Sequence, residues 1–185
     1  MSSKIRFVTI GYIEWRKGQD LLLDAIEQLP SDVVEKSEFI LVGQKTSQLA
    51  QKLEGRLDDM PSVKMPGILP REEIHSLLES TDVLICPSRE DPMPTVCAEA
   101  MMHRVPCLVS DVTGTSAYIK DGYDGLIFKS DDVLELKDKI CWCVSHSNEL
   151  RNMGDRSYEI YENTFSPQVF ENSLLKYVED MIGKP

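Results

Sequence analysis

No stretch of about 18 consecutive apolar residues occurs in the sequence, so no helix of it is long and apolar enough to cross a bilayer. No basic-then-apolar segment opens it, which predicts no secretory signal. Basic residues are in deficit: 20 Lys and Arg stand against 31 Asp and Glu, a formal net charge of −11. Nucleic acids and anionic lipids are bound through clusters of Lys and Arg, so this balance argues against both as partners. A phosphate ligand would need a local positive site set against the global field. Cysteine is sparse and odd in number: Cys86, Cys97, Cys107, Cys141 and Cys143. Cys141 and Cys143 have no His or Cys pair at a distance fitting a four-ligand zinc site. Free, reduced thiols in a cytoplasmic protein are expected. Internal repeats and low-complexity segments are absent.

What is present is a regular alternation. With 185 residues, 42% of them hydrophobic, the chain suffices for one domain with a sizeable core. Strands are read over 4–10, 39–42, 63–65, 83–86, 107–109 and 126–128. Phe39-Ile40-Leu41-Val42 and Val83-Leu84-Ile85-Cys86 are short continuous apolar runs, the pattern of strands buried on both faces. Helical spacing falls between them: over 20–29, around Leu49, Leu53 and Leu57, over 71–80 and 95–103, and briefly near 116–120. Three further helices are predicted over 131–144, 148–162 and 167–181. Ser166-Pro167 is a start signal for the last, a capping hydroxyl and then Pro at the first helical position. Strands alternating with helices imply βαβ crossovers, hence an α/β fold with a Rossmann-like parallel sheet, flanking helices and a helical C-terminal segment. Ligands of such sheets bind beyond the carboxyl ends of the strands.

Two loops at that edge carry chemistry. The first, 11–20, holds Arg16 and Lys17. Two cations there can neutralise a diphosphate, although a solvated turn before a helix also explains them. The second, 87–94, leads from a buried strand through Pro92 and Pro94 into the helix that starts at Thr95. Helix starts present free N–H groups and the positive end of the dipole, so Thr95 and Val96 can hold phosphate. Asp91 and Glu99 lie on either side of that start. Carboxylates repel phosphate but accept hydrogen bonds from sugar hydroxyls. As an alternative, Asp91 caps the helix and Glu99 pairs with a neighbour. His75, His103 and His146 have no catalytic context and are read as surface or satisfied residues.

The order of these motifs resembles the C-terminal, donor-binding domain of GT-B glycosyltransferases. The family is the retaining glycosyl transferases group 1 (family four) type, which includes sucrose synthases and many bacterial mannosyl- and glucosyltransferases. The likeness runs through 11–25, 39–43, 67–69, 80–88, 90–101, 105–111 and 119–128, nearly the whole chain. The family has an acidic pair of two glutamates; Asp91 and Glu99 match it, with Glu90 adjacent to the substituted first position. The resemblance implies that Asp91 contacts the transferred sugar and Glu99 the ribose. It implies that Lys17, with the N–H groups of Thr95 and Val96, takes the diphosphate. Asp91, Glu99 and Lys17 are thus the candidate catalytic residues, and the segment of Met65 and Gly67 should lie by the base. Tyr12 stands where the family has an arginine, a loss Arg16 is expected to offset, and Ala117 stands where the family often has Glu.

The function so implied is binding of a nucleotide sugar for retaining hexosyl transfer to a carbohydrate or lipid-linked acceptor, with no metal or other cofactor. All of 1–185 is expected to be one nucleotide-sugar-binding domain, with Met1-Ser2-Ser3 a leader or linker. The N-terminal acceptor domain is expected to be missing, and the helix over 166–183 to pack toward it. The isolated domain is expected to be inactive. The location is expected to be cytoplasmic, within reach of the inner face of the membrane through the missing domain. Two rivals are a module of the same fold that has lost catalysis, motivated by Tyr12, and half of a sugar-nucleotide epimerase.

Overall fold

A computed structural model describes residues 4–182, so Met1-Ser2-Ser3 and residues 183–185 lie outside the described residues. Six strands, β1 (Ile5–Ile10), β2 (Ser37–Val42), β3 (Val63–Gly67), β4 (Val83–Cys86), β5 (Cys107–Ser110) and β6 (Leu126–Phe128), form one sheet in the order β3-β2-β1-β4-β5-β6. Every pairing is parallel. The helices are α1 (Gln19–Glu27), α2 (Ser31–Glu35), α3 (Gln48–Glu54), α4 (Arg71–Glu79), α5 (Thr95–Met102), α6 (Val133–Ser145), α7 (Ser147–Ile160) and α8 (Pro167–Ile182). The Rossmann-like architecture anticipated from the alternation is therefore present.

The buried strands explain themselves by the two cores. Val83 and Ile85 face the layer of α1, α3 and α6, where Phe7 stacks on Phe39 with ring centroids 4.9 Å apart. Leu84 and Cys86 face the other layer, with Leu78, Cys97, Met101 and Val109. With apolar cover on both faces, an alternating pattern would leave polar groups in a core, so these strands are continuously apolar.

Element ends differ from the sequence reading where local geometry outweighs periodicity. Helix α1 stops at Glu27 because Gln28 and Leu29 tighten into bonds with the carbonyls of Ala25 and Ile26, ahead of Pro30. The five-residue α2 is too short to show a helical period and is absent from the sequence reading. Helix α6 starts at Val133, where the Asp132 carboxylate accepts the Glu135 N–H at 2.9 Å. The segment read as a short helix near 116–120 is a 3-10 turn over Gly114–Tyr118. Helix α7 passes into a π-turn over Tyr161–Phe165. Ser166 then accepts from the Val169 N–H at 3.4 Å to start α8, as its Ser-Pro signal predicts. No residue of α8 is buried, and Phe170, Leu174, Tyr177 and Met181 are exposed.

One helix seat depends on a missing side chain. Gly154, inside α7, lies on the carbonyl of Arg104, so a Cβ there would come within 1.9 Å of that oxygen. Gly-to-Ala in a helix interior ordinarily stabilises by about 0.5–1 kcal/mol. Here the sign reverses: Gly154→Ala should lower stability by about 1–3 kcal/mol, the usual cost of overpacking, in urea unfolding. A variant as stable as the parent would mean that α7 is not seated on this turn.

Candidate functional site

Strand order reverses between β1 and β4, and the loops after these two strands meet above the crevice. The first loop winds a 3-10 turn over Trp15–Lys17 and ends at Gly18 in the left-handed region, φ 71°. Any side chain at Gly18 would strike the Pro87 carbonyl, 2.0 Å from an added Cβ. The Arg16 carbonyl accepts the N–H groups of Arg89 and Glu90, at 2.8 and 3.3 Å. Backbone contact thus binds the two loops before any side chain is considered.

Side chains complete the crossing. Lys17 Nζ lies 2.5 Å from Asp91 Oδ2, and both are largely buried. Asp91 is held in turn by the loop after β5: its carbonyl accepts from Gly114 N–H at 3.1 Å. Gly114 is required there, since a Cβ would sit 1.7 Å from the Pro92 carbonyl oxygen. Arg16 pairs with Glu14 at 2.8 Å and stands apart from the Lys17–Asp91 pair. Glu90 is exposed and contributes its backbone, so Asp91 is the acid that enters the crevice.

Helix α5 begins beside this pair. Pro94 precedes it with no side-chain cap, and the Cys97 N–H turns back to the Pro94 carbonyl at 3.0 Å. The N–H groups of Thr95 and Val96 bond to no other described residue. Glu99 is one turn further on the face of Thr95, half-buried, and its carboxylate has no hydrogen-bond or ion-pair partner among the described residues. Loop cations, free amides and acceptor carboxylates are what a diphosphate attached to hydroxylated rings would engage.

The segment 65–67 ends β3 beside the same edge. Met65 is buried in the core, and Gly67 accepts the Gly43 N–H at 3.0 Å. It is Tyr12, Gln44, Ile68, Leu69 and Ile74 that line the adjoining cleft, of about 300 Å³. A larger depression of about 620 Å³ lies at the opposite edge, beside Asp82 and Pro106, which precede β4 and β5. There Arg104 pairs with Asp155 at 2.9 Å and Asp82 accepts the Arg6 N–H at 2.7 Å. The position beyond the strand carboxyl ends, with unpaired amides, favours the β1–β4 edge.

Arg89 is the residue that sequence reading passed over. It lies in the β4 loop, bonded to the Trp15 carbonyl, Asp20 and Asp131. No sequence spacing relates these positions, which are joined by the tertiary structure. The cysteines carry no candidate chemistry. Hydrogen bonding with Cys97 and then burial push the Cys86 thiol up, and burial pushes Cys143 to about 12. Among the described residues no group of three or more His, Cys, Asp and Glu side chains is placed to hold a metal ion.

Residues 2–160 match the model of a protein family described as glycosyl transferases group 1. An uncharacterized glycosyltransferase of Methanocaldococcus jannaschii is 24% identical over 93% of this chain and 47% of its own length. An α-1,4-N-acetyl-D-galactosaminyltransferase of Campylobacter jejuni, named for an undecaprenol-diphosphate-linked substrate, is 30% identical over 75% of this chain and 38% of its own. The chain thus spans less than half the length of these relatives. Among solved structures, Anabaena HepE in complex with UDP-glucose superposes with a TM-score of 0.83 at 19% identity, over 96% of this chain and 49% of that one. At such identity the likeness is one of fold, the Rossmann-like half of a GT-B architecture.

A histidine pair next to Glu99 gives this helix a pH signature. His103, at the end of α5, has Nε2 2.9 Å from Nδ1 of His75 on α4. Burial, and then the His75 charge, lower its pKa from the usual 6.5, while Glu79 and Glu99 pull the other way. The unfolded chain therefore takes up a proton near 6.5 before the folded chain does. Stability from this site is present above that pH and is lost as pH falls from there through the depressed folded value. Urea midpoints at about pH 7.5 and 5.5 should differ less in His103→Gln than in the parent. An equal difference would remove this assignment.

Proposed function

The chain belongs to the glycosyl transferases group 1 family, and on that premise we propose that it binds the nucleotide-sugar donor of a retaining hexosyl transfer. The observation that carries this reading is the Lys17–Asp91 pair at the β1–β4 crevice, beside the open N-terminus of α5. In this reading the diphosphate lies between the first loop and the amides of Thr95 and Val96. Lys17, Arg16 and the helix dipole stabilise the negative charge that grows as the glycosidic bond to it breaks. An ammonium has three donors, so Lys17 can keep Asp91 and still reach a phosphate. Asp91 then orients the transferred sugar and Glu99 the ribose. The base occupies the cleft lined by Tyr12, Ile68 and Leu69. With these cations placed, no metal is required in the proposed mechanism.

The name of the Campylobacter relative, with its undecaprenol-diphosphate substrate, supports a carbohydrate or lipid-linked acceptor, and the UDP-glucose bound by HepE supports the donor class. The acceptor site and transfer itself belong to an N-terminal half, so this domain alone binds donor weakly and turns over little. The exposed apolar residues of α8 supply the surface on which that half rests. Adding the half as a separate polypeptide should slow proteolysis within α8, and unchanged cleavage would refute the docking. A second reading, a regulatory or structural module that has lost catalysis and nucleotide binding, is favoured by Tyr12 in place of arginine and by the exposed Trp15, Met93 and Val112 on the same edge.

Calorimetric titration with UDP, GDP and ADP separates the two. One diphosphate should bind, and Lys17→Ala and Glu99→Ala should each weaken it about tenfold, the loss expected for one hydrogen bond to a charged group. Wild-type affinity in both variants, or no binding of any diphosphate, would reject the donor site.

A further inference from the structure

Arg89 is a cation at the rim of a proposed phosphate site, yet its bonds turn it away from ligand duty. Its side chain is 11% exposed. Nη1 and Nη2 hold the two carboxylate oxygens of Asp20 at 2.8 and 3.1 Å, Nη1 also donates to the Trp15 carbonyl at 2.7 Å, and Nε donates to Asp131 at 2.5 Å. Its guanidinium carbon sits 5.0 Å from the centre of the Trp15 ring. Burial lowers its pKa, but its hydrogen bonds to Asp20 and Asp131 outweigh this and raise it above the usual guanidinium value.

These partners come from three places: the turn after β1, the first turn of α1, and the loop after β6. Asp131 reaches Arg89 from the left-handed region, φ 61°, a conformation that costs a non-glycine residue energy and persists only where surrounding contacts hold it. The backbone of Arg89 and Glu90 meanwhile takes the Arg16 carbonyl. Lys17 is the next residue along one strand of this junction, and Asp91 lies two residues beyond Arg89 on the other.

We propose that Arg89 is a positioning residue that clamps the Trp15–Lys17 turn to the β4 loop, and so sets Lys17 and Asp91 for the donor diphosphate. This rests on the donor-site reading above. A planar fork with five donors fits the four bonds; an ammonium, a point charge with three, does not. Lysine should therefore fail to rescue.

The test is titration of UDP, GDP and ADP into the chain carrying Arg89→Gln, Arg89→Lys or Asp20→Asn, with Lys17→Ala as the reference for the site. Thermal melts and Trp15 emission, read in a Trp142→Phe background, accompany it. All three clamp variants should lose about tenfold or more in diphosphate affinity, as small misplacements of a binding group do, and should shift Trp15 emission while melting cooperatively. Should Arg89→Gln not fold, Arg89→Lys and Asp20→Asn carry the test. Wild-type affinity in the clamp variants with loss in Lys17→Ala would overturn the clamp and leave the donor site standing. Loss in the Arg89 variants with unchanged or tighter binding in Asp20→Asn would mean that Arg89 touches phosphate itself. No binding by the parent, or full binding by Lys17→Ala, would remove the donor site and this inference together.

Discussion

Two loops touch where Gly18 lies on the Pro87 carbonyl, and most of what is distinctive in this molecule follows from that contact. A Cβ at Gly18 would stand 2.0 Å from the Pro87 oxygen, so the approach is open only to glycine. It occurs at the point where strand order reverses, between β1 and β4, the one place in such a sheet where neighbouring connections leave to opposite sides. Similar close approaches surround it. Gly43 lies on the Gly11 carbonyl, at 1.9 Å from a notional Cβ, and Gly114 on that of Pro92. The rim of the crevice is therefore built by backbone against backbone, which holds it more rigidly than long side chains would.

On that frame the charges are arranged against the character of the whole. The chain is strongly acidic, with a net charge of −11. At the crevice Lys17 faces Asp91, Arg16 faces Glu14, and the first amides of α5 remain open. Repulsion by the distant acids is screened within roughly 8–10 Å at physiological salt. An anion in the crevice thus responds mainly to the nearby cations and amides. Arg89 belongs to the support of this arrangement, since three carboxylate oxygens and a carbonyl use four of its donors. The Lys17–Asp91 pair is well suited to an interrupted role, because each partner retains hydrogen-bonding capacity for a ligand.

The fold was legible because its strands are buried on both faces. Val83-Leu84-Ile85-Cys86 can be little else, flanked as it is by turns and helical spacing. Lys17, Asp91, Thr95 and Glu99 were legible as well, because loops that follow such strands gather at one edge whatever their composition. Less visible were elements without a period. The short α2 and the π-turn at Tyr161–Phe165 leave no pattern of apolar residues to read. The Met65 side chain is buried in the core, while Ile68 and Leu69, just beyond Gly67, line the cleft, a division that chain order does not reveal.

By itself the sequence determined the parallel sheet, the edge at which its loops meet, and the residue types available there, since periodicity and burial of backbone polar groups permit few other solutions. Its family membership is shown by the family model that matches residues 2–160. Only the tertiary structure decided which of two adjacent acids enters the crevice, Asp91 rather than Glu90, because that depends on the path of the β4 loop over Gly114. It also decided that Arg89 joins Trp15, Asp20 and Asp131 and that His75 and His103 are one hydrogen-bonded pair. These contacts join residues 28 to 74 positions apart, and chain distance carries no information about them. The physical reason is that side-chain direction and burial are properties of packed elements, fixed when the layers close on the sheet.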